Sequence, residues 1–248
     1  MIRIVISGIC GRMGKRIASL AAKDKRFEIK AGLEHPGHPD IGKYINNVLD
    51  LPNINGKIES DFNKICTDCD VLIEFTNPDA TMQHLEMACV KNVAMVIGTT
   101  ALSQEQINRL NIISDKIPIV FSPNMSIGAN LLFKLTEMAS MSLGRDYDVR
   151  IIEAHHAQKK DAPSGTAKRL GELISKIRGM TPLIDSIREG DIVGDHTVIF
   201  EGKEEKIELK HSAYSRDAFA KGALDAAEFL MGRSPGLYTM QDVIKGLG

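Results

Sequence analysis

The sequence predicts an α/β fold in which a doubly wound parallel sheet is interrupted by a smaller α+β domain with a mixed sheet. Three observations carry that prediction. Short apolar runs alternate with helical patterns through the first half of the chain, the rhythm of βαβ units. The runs are continuously apolar (Ile4-Val5-Ile6, Val71-Leu72-Ile73, Met95-Val96-Ile97, Ile119-Val120-Phe121), as strands buried on both faces of a parallel sheet are. After Pro123 the rhythm breaks, and two strand-like runs separated by the polar Gly202-Lys203-Glu204-Glu205 read as a hairpin, which makes the second sheet mixed.

Taken in order, the patterns place a strand at 2–7, a helix at 12–23 and a strand at 27–33. Residues 34–55 hold three of the nine prolines among Gly, Asn and Asp, and read as loop near a ligand rim. A strand at 70–75 leads to a helix at 78–91, which Asn77 caps and Pro78 starts. A strand at 93–98 precedes a helix at 104–116, where Ser103 and Gln106 form a capping box. A strand at 117–121 completes this half. Next come a helix at 127–143, strands at 147–155, 196–201 and 206–213, a helix at 165–178, and a helical remainder over 215–248. The layout expected is one domain from 1–126 and 215–248, with a second, 127–214, inserted.

Composition narrows the function. A 248-residue chain that is 43% hydrophobic can bury a core without disulfides or a structural metal. With 31 basic against 32 acidic side chains there is no global basic field, so nucleic acid is not an expected partner. No apolar run approaches the roughly 20 residues of a membrane span, and the chain opens on the strand-like Ile2-Arg3-Ile4-Val5-Ile6, so no membrane partner and a cytoplasmic location are expected. Cys66-Thr67-Asp68-Cys69 lacks the second ligand pair of a zinc site, so these are read as structural thiols and no metal is expected.

Two segments carry chemistry. The first is Gly8-Ile9-Cys10-Gly11-Arg12-Met13-Gly14, between the first strand and a helix bearing Ile17, Leu20 and Ala21. Glycines there let the backbone approach a pyrophosphate, whose charge the helix N-terminus stabilises. Glu34, twenty positions past Gly14, ends the second strand where a carboxylate can accept ribose hydroxyls. The pairing points to a Rossmann-like dinucleotide site. Glu34 favours an unphosphorylated ribose and so NADH, while Arg12 and Arg16 keep NADPH open. Gly98-Thr99-Thr100 and Ser122-Pro123-Asn124-Met125 follow two further strands and suit contact with a nicotinamide and its ribose.

The second segment runs from Glu153-Ala154-His155-His156 through Lys159-Lys160-Asp161 to Ser164-Gly165-Thr166-Ala167. Ser164 reads as an N-cap, and the helix start at Gly165 and Thr166 as a site for a carboxylate. Two His and two Lys beside it supply proton donors and acceptors near neutral pH. His155 and His156 share a role only if the strand has ended between them.

These two motifs resemble those of the dihydrodipicolinate reductase family, the 4-hydroxy-tetrahydrodipicolinate reductases of diaminopimelate and lysine biosynthesis, and the element order agrees over essentially the whole chain. The resemblance implies hydride transfer from NADH or NADPH to a cyclic imine dicarboxylate. By position it implies His155 as general acid/base, Lys159 as proton donor, and His156 with Gly165 and Thr166 as holders of the substrate carboxylates. It implies cofactor contacts from Gly8, Ile9, Cys10, Gly11, Arg12, Met13, Glu34, Gly98, Thr99, Thr100, Ser122, Pro123, Asn124 and Met125, and a homotetramer assembled through the second domain. His35 stands where relatives that use NADPH well often carry Arg, and the second domain is short by a loop or strand. Two other readings compete: an aldehyde dehydrogenase, which would need a nucleophilic Cys that neither Cys10 nor Cys89 is placed to supply, and a non-catalytic nucleotide sensor, which would have no use for the His/Lys cluster.

Overall fold

In the computed structural model, which describes residues 1–52 and 54–246, the apolar runs become strands of two separate sheets. In chain order the elements are β1 (Ile2–Ser7), α1 (Arg12–Ala21), β2 (Phe27–Leu33), α2 (Ile45–Leu49), β3 (Lys57–Glu59), β4 (Val71–Glu74), α3 (Pro78–Lys91), β5 (Ala94–Ile97), α4 (Gln104–Ser114) and β6 (Pro118–Phe121). They continue with α5 (Ile127–Ser142), β7 (Asp148–His155), α6 (Gly165–Arg178), β8 (Leu183–Arg188), β9 (Gly194–Glu201), β10 (Lys206–Ala213), α7 (Asp217–Phe229), β11 (Gly236–Tyr238) and α8 (Met240–Gly246).

One unit comprises Met1–Met125 and Phe219–Gly248. Its seven strands run parallel in the order β11-β6-β5-β4-β1-β2-β3. All four residues of β4 and of β5 are buried, which is why their sequences show no alternation. Helix starts follow the expected chemistry: Asn77 accepts from Ala80 N–H, and Ser103 with Gln106 forms the reciprocal capping box. Cys66 and Cys69 are free thiols buried in the core formed around Leu72, Leu85, Met95 and Ile113, which suits the structural reading of both.

The second unit is Ser126–Ala218. Its mixed sheet has the order β10-β9-β7-β8, with β7 and β8 parallel and the other pairs antiparallel. The expected hairpin closes where Gly202 N–H donates to Glu205 C=O. Val149, Ile151, Val198 and Phe200 pack from the sheet against Leu132 of α5 and Ala167, Leu170 and Ile174 of α6. Arg178, in the last turn of α6, donates to the carbonyls of Ser140, Leu143, Gly144 and Tyr147, satisfying the end of α5.

Four features differ from the expectation. The 34–55 segment contains the one-turn α2, and β3 follows it unannounced, since three residues show no period. β8 pairs at the sheet edge with mostly exposed or half-exposed residues, so it lacked an apolar signature. The 215–248 segment is not helical throughout: Ser234-Pro235 breaks it and β11 joins the sheet edge beside β6. Its last two positions lie outside the described residues.

Candidate functional site

Chain order runs outward in both directions from the adjacent β1 and β4, so the switch point of the first unit's sheet lies at their carboxyl ends, where ligands of such sheets bind. Gly8 leaves β1 there in the left-handed region, φ +72°, and a Cβ on it would lie 2.7 Å from the Phe75 carbonyl oxygen. A Cβ on Gly14 would come 2.1 Å from the Gly8 carbonyl oxygen, so α1 starts this close to β1 only on glycine. Helix α1 is capped at Gly11 without a side-chain hydrogen bond, unlike α3 and α4. Its positive end is thus left for an anion.

Glu34 lies one residue past β2 and accepts the Cys10 N–H at 2.7 Å, which sets its carboxylate on the glycine loop. Gly98–Thr100 and Ser122–Met125 emerge from β5 and β6 at the same sheet edge. Their side chains mostly shape the loops. Thr99 is buried, and its hydroxyl oxygen accepts from Thr81 Oγ1 at 2.8 Å and Thr76 N–H at 3.3 Å. Ser122 Oγ donates to the Asn124 carbonyl at 2.7 Å, and Met125 is buried. Main chain, with the exposed Arg12, Thr100 and Pro123, is what this edge offers a ligand. Sequence reasoning overlooked Glu74, fully buried at the end of β4, whose Oε2 lies 2.6 Å from His84 Nδ1 and which also accepts from the Thr76 hydroxyl. Burial, with Glu34 and Asp40 nearby, pushes the Cys10 thiol up to about 11, and burial pushes Cys69 up to about 12. Cys10 is therefore no thiolate nucleophile, which weighs against its use in the aldehyde dehydrogenase reading.

In the second unit β7 ends at His155, so His156 belongs to the following loop, where its N–H donates to Ile192 C=O. His155 is buried and Nδ1 lies 2.5 Å from Glu153 Oε2. Glu153, with no exposed surface, also receives Arg188 Nη1 at 2.9 Å, Arg188 Nη2 at 2.6 Å and the Ser164 N–H at 3.1 Å. Strand register makes this cluster: Glu153 pairs with Ser186 and His155 with Arg188 across β7 and β8, Glu153 with His196 across β9, and His196 with His211 across β10. A row of polar side chains therefore crosses the sheet. Ser164, the N-cap of α6, sets Oγ 3.1 Å from His196 Nε2, and Ser126, the N-cap of α5, sets Oγ 3.3 Å from His211 Nε2. Lys159 Nζ donates to Asp161 at 2.7 Å. Gly165 opens α6, and a Cβ placed on it would meet nothing within 4 Å, so the helix start has open space on that side.

Electrostatics sharpen the roles. Burial alone would raise the Glu153 carboxyl, but hydrogen bonds from Arg188, Ser186, His155 and the Ser164 N–H outweigh it and hold it down at about 2. Burial lowers His155 below the ordinary imidazole value, with Glu153 offsetting part of the effect. Burial, with His155 beside it, pushes His196 down to about 4. Because the unfolded chain accepts the proton that folded His196 refuses, the second unit is expected to lose roughly 3 kcal/mol as pH falls from about 6.5 to about 4. Denaturant unfolding across that window measures the slope, and His196→Gln should flatten it; an unchanged slope in the variant contradicts the assignment.

The comparisons with known proteins bear on the family and the fold. A family model described as dihydrodipicolinate reductase, N-terminus, matches residues 2–125, and one described as dihydrodipicolinate reductase, C-terminus, matches residues 128–244. The 4-hydroxy-tetrahydrodipicolinate reductase of Aquifex aeolicus is 43% identical over 98% of both chains, and that of Geotalea daltonii is 38% identical over 98% of this chain and 99% of its own. Among solved structures, a dipicolinate-bound dihydrodipicolinate reductase from Paenisporosarcina sp. TG-14 is similar at a TM-score of 0.84 and 26% identity, covering 98% of each chain. Aspartate semialdehyde dehydrogenase II of Vibrio cholerae, at a TM-score of 0.63 and 12% identity over 93% of this chain and 98% of its own, shares the fold alone.

Proposed function

Because the chain belongs to the dihydrodipicolinate reductase family, we propose that its first unit holds a reduced nicotinamide nucleotide and its second unit holds the substrate dicarboxylate and manages the proton. The reaction is the NAD(P)H-dependent reduction of 4-hydroxy-tetrahydrodipicolinate, by way of dihydrodipicolinate, to tetrahydrodipicolinate in diaminopimelate and lysine biosynthesis. The observation that carries the assignment of roles is the buried Glu153–His155–Arg188 cluster beside the start of α6.

The nucleotide fits the first unit on two features of this chain: the close approach that Gly8 and Gly14 permit, and the Glu34 carboxylate fixed on the loop. Gly8 to Met13 would hold its pyrophosphate, Glu34 a ribose, and the 98–100 and 122–125 segments its nicotinamide half. When bound, it supplies the hydride. Glu34 is the reason to favour NADH; Arg12 and Arg16 are the residues that could pair with a 2′-phosphate instead.

In the second unit, Glu153 fixes Nδ1 of His155, which leaves Nε2 as the working nitrogen. Gly194 keeps space beside it, since a Cβ there would lie 3.1 Å from Nε2. Lys159 donates the proton that hydride addition requires, and Asp161 keeps that ammonium oriented until substrate arrives. His156 and the first turn of α6 at Gly165 and Thr166 hold the two carboxylates through charge-assisted bonds and the helix dipole. Register sets Ile152, Ala154 and Ile199, with the exposed Leu183 and Ile187, as an apolar patch among charged neighbours such as Arg150 and Asp185 on the sheet face opposite the core, and that face is the one we assign to a homotetramer. Among the described residues no helix is long and apolar enough to cross a membrane; drawing on the free nucleotide pool, the enzyme is assigned to the cytoplasm.

Dipicolinate, the planar dicarboxylate bound by the Paenisporosarcina relative, is the probe for the carboxylate assignment. His156→Ala is expected to weaken its inhibition by roughly 10- to 100-fold, the loss of one hydrogen bond to a charged group, with NADH binding unchanged. Inhibition equal to that of the parent chain would contradict the role of His156. Lys159→Ala is expected to lower kcat by about 10²- to 10⁴-fold while dipicolinate still inhibits; near-normal kcat would remove Lys159 from the proton step.

A further inference from the structure

We propose that Cys10, His38 and Asp40 form a site for a thiophilic dication of the zinc class, and that its occupation excludes the nucleotide from the glycine loop. Among the described residues these three form the one group of His, Cys and acidic side chains whose donor atoms all lie within 4.8 Å of one another. They come from two segments that the fold brings together, the loop after β1 and the loop after β2, and all three are half-buried, so an ion can reach them and be partly shielded.

The donor chemistry matches. A thiolate, an imidazole and a carboxylate, with water in the fourth position, is a familiar tetrahedral zinc set, whose ligand atoms sit about 3.3 to 3.8 Å apart on bonds of about 2.0 to 2.3 Å. His38 Nδ1 and Asp40 Oδ2 already lie 3.8 Å apart, and the thiol sulfur lies within 4.8 Å of both ligands. Nδ1 accepts the Asp40 N–H at 3.2 Å, so its lone pair is directed into that loop, and an ion bound there takes the lone pair in place of the N–H. Asp40 is held through its other oxygen by Lys43 at 2.8 Å, which leaves Oδ2 for the ion. On binding, the Sγ–H bond breaks, its proton passes to buffer, and an S–Zn bond forms without redox change.

Exclusion of the nucleotide rests on the reading of Gly8 to Met13 and Glu34 as its site. Cys10 lies within that loop and its N–H is held by Glu34, so an ion on Sγ ties down the segment that must receive the pyrophosphate. The test uses the tag-free full-length chain, with zinc and cobalt(II) as probes followed by calorimetry and absorbance. One equivalent is expected, with release of one proton and a sulfur-to-cobalt charge-transfer band. His38→Ala, Asp40→Asn and Cys10→Ser should each weaken binding by at least about 10-fold, the lower end of what loss of even an outer partner of a metal costs. Cys10→Ser should also abolish the band. Absence of saturable binding, or binding unchanged in His38→Ala and Cys10→Ser, overturns the site. Zinc and NADH bound together at full occupancy overturn the exclusion. Failure of NADH to bind the zinc-free chain overturns the exclusion and the nucleotide reading together, and the zinc stoichiometry stands apart from both.

Discussion

Replacing His155 with Gln is expected to lower kcat by about 10²- to 10⁴-fold, the usual worth of a positioned general acid/base, while NADH and dipicolinate still bind. The expectation follows from what the fold does to this one imidazole. Glu153, kept anionic down to about 2 by Arg188 and its other donors, fixes Nδ1. Burial keeps the ring neutral at pH 7, because its value lies below the ordinary one. A neutral ring with one nitrogen fixed can take a proton at the other and return it. Where the neutral ring is required, kcat/KM of the parent chain should fall as pH drops through that lowered value, and the acid limb should vanish in His155→Gln. Residual turnover with the same acid limb would assign the limb to another group and remove His155 from the chemistry.

Glu153→Gln is the change with the largest expected effect on stability. It keeps the shape of the side chain but leaves Arg188, whose side chain is 18% exposed, facing a neutral amide in place of a fully buried carboxylate. Losing one member of a buried ion pair costs about 3 to 5 kcal/mol, and Arg188→Met should cost a similar amount from the other side. Removing both leaves no unpaired charge, so the double variant should lose less than the sum of the single losses. Denaturant midpoints of the four proteins measure this directly. Strictly additive losses, or single losses below about 1 kcal/mol, would mean that the pair is not coupled as the geometry implies.

The sequence made some of this legible and hid the rest for physical reasons. Continuous apolar runs announced the central parallel strands because burial on both faces favours an apolar residue at nearly every position. β3 and β11, three residues each, are too short for any period, and β8 lies at an edge where exposure blurs the pattern. At the site, the glycine loop and the His155 segment were readable because their members are neighbours in sequence. Glu153 was visible in that segment but without a task, and Arg188, His196 and His211 were not singled out at all. Their roles come from register across β7 to β10, which joins residues 15 to 43 positions apart and leaves no local trace. Thr99, Ser122 and Met125 illustrate the opposite case. Position at the sheet edge was readable, yet their side chains turn inward to Thr81, Asn124 and the core.

A nicotinamide site on the first unit that serves reduction of a dicarboxylate held by the second can be tested by following nicotinamide absorbance with NADH or NADPH. The substrate is 4-hydroxy-tetrahydrodipicolinate generated in situ by its synthase. Oxidation is expected to depend on that substrate and to run faster with NADH than with NADPH, and the preference is expected to weaken when Glu34 is replaced by Gln. No substrate-dependent oxidation with either nucleotide, while both still bind, would contradict it and leave a nucleotide-binding protein without this chemistry.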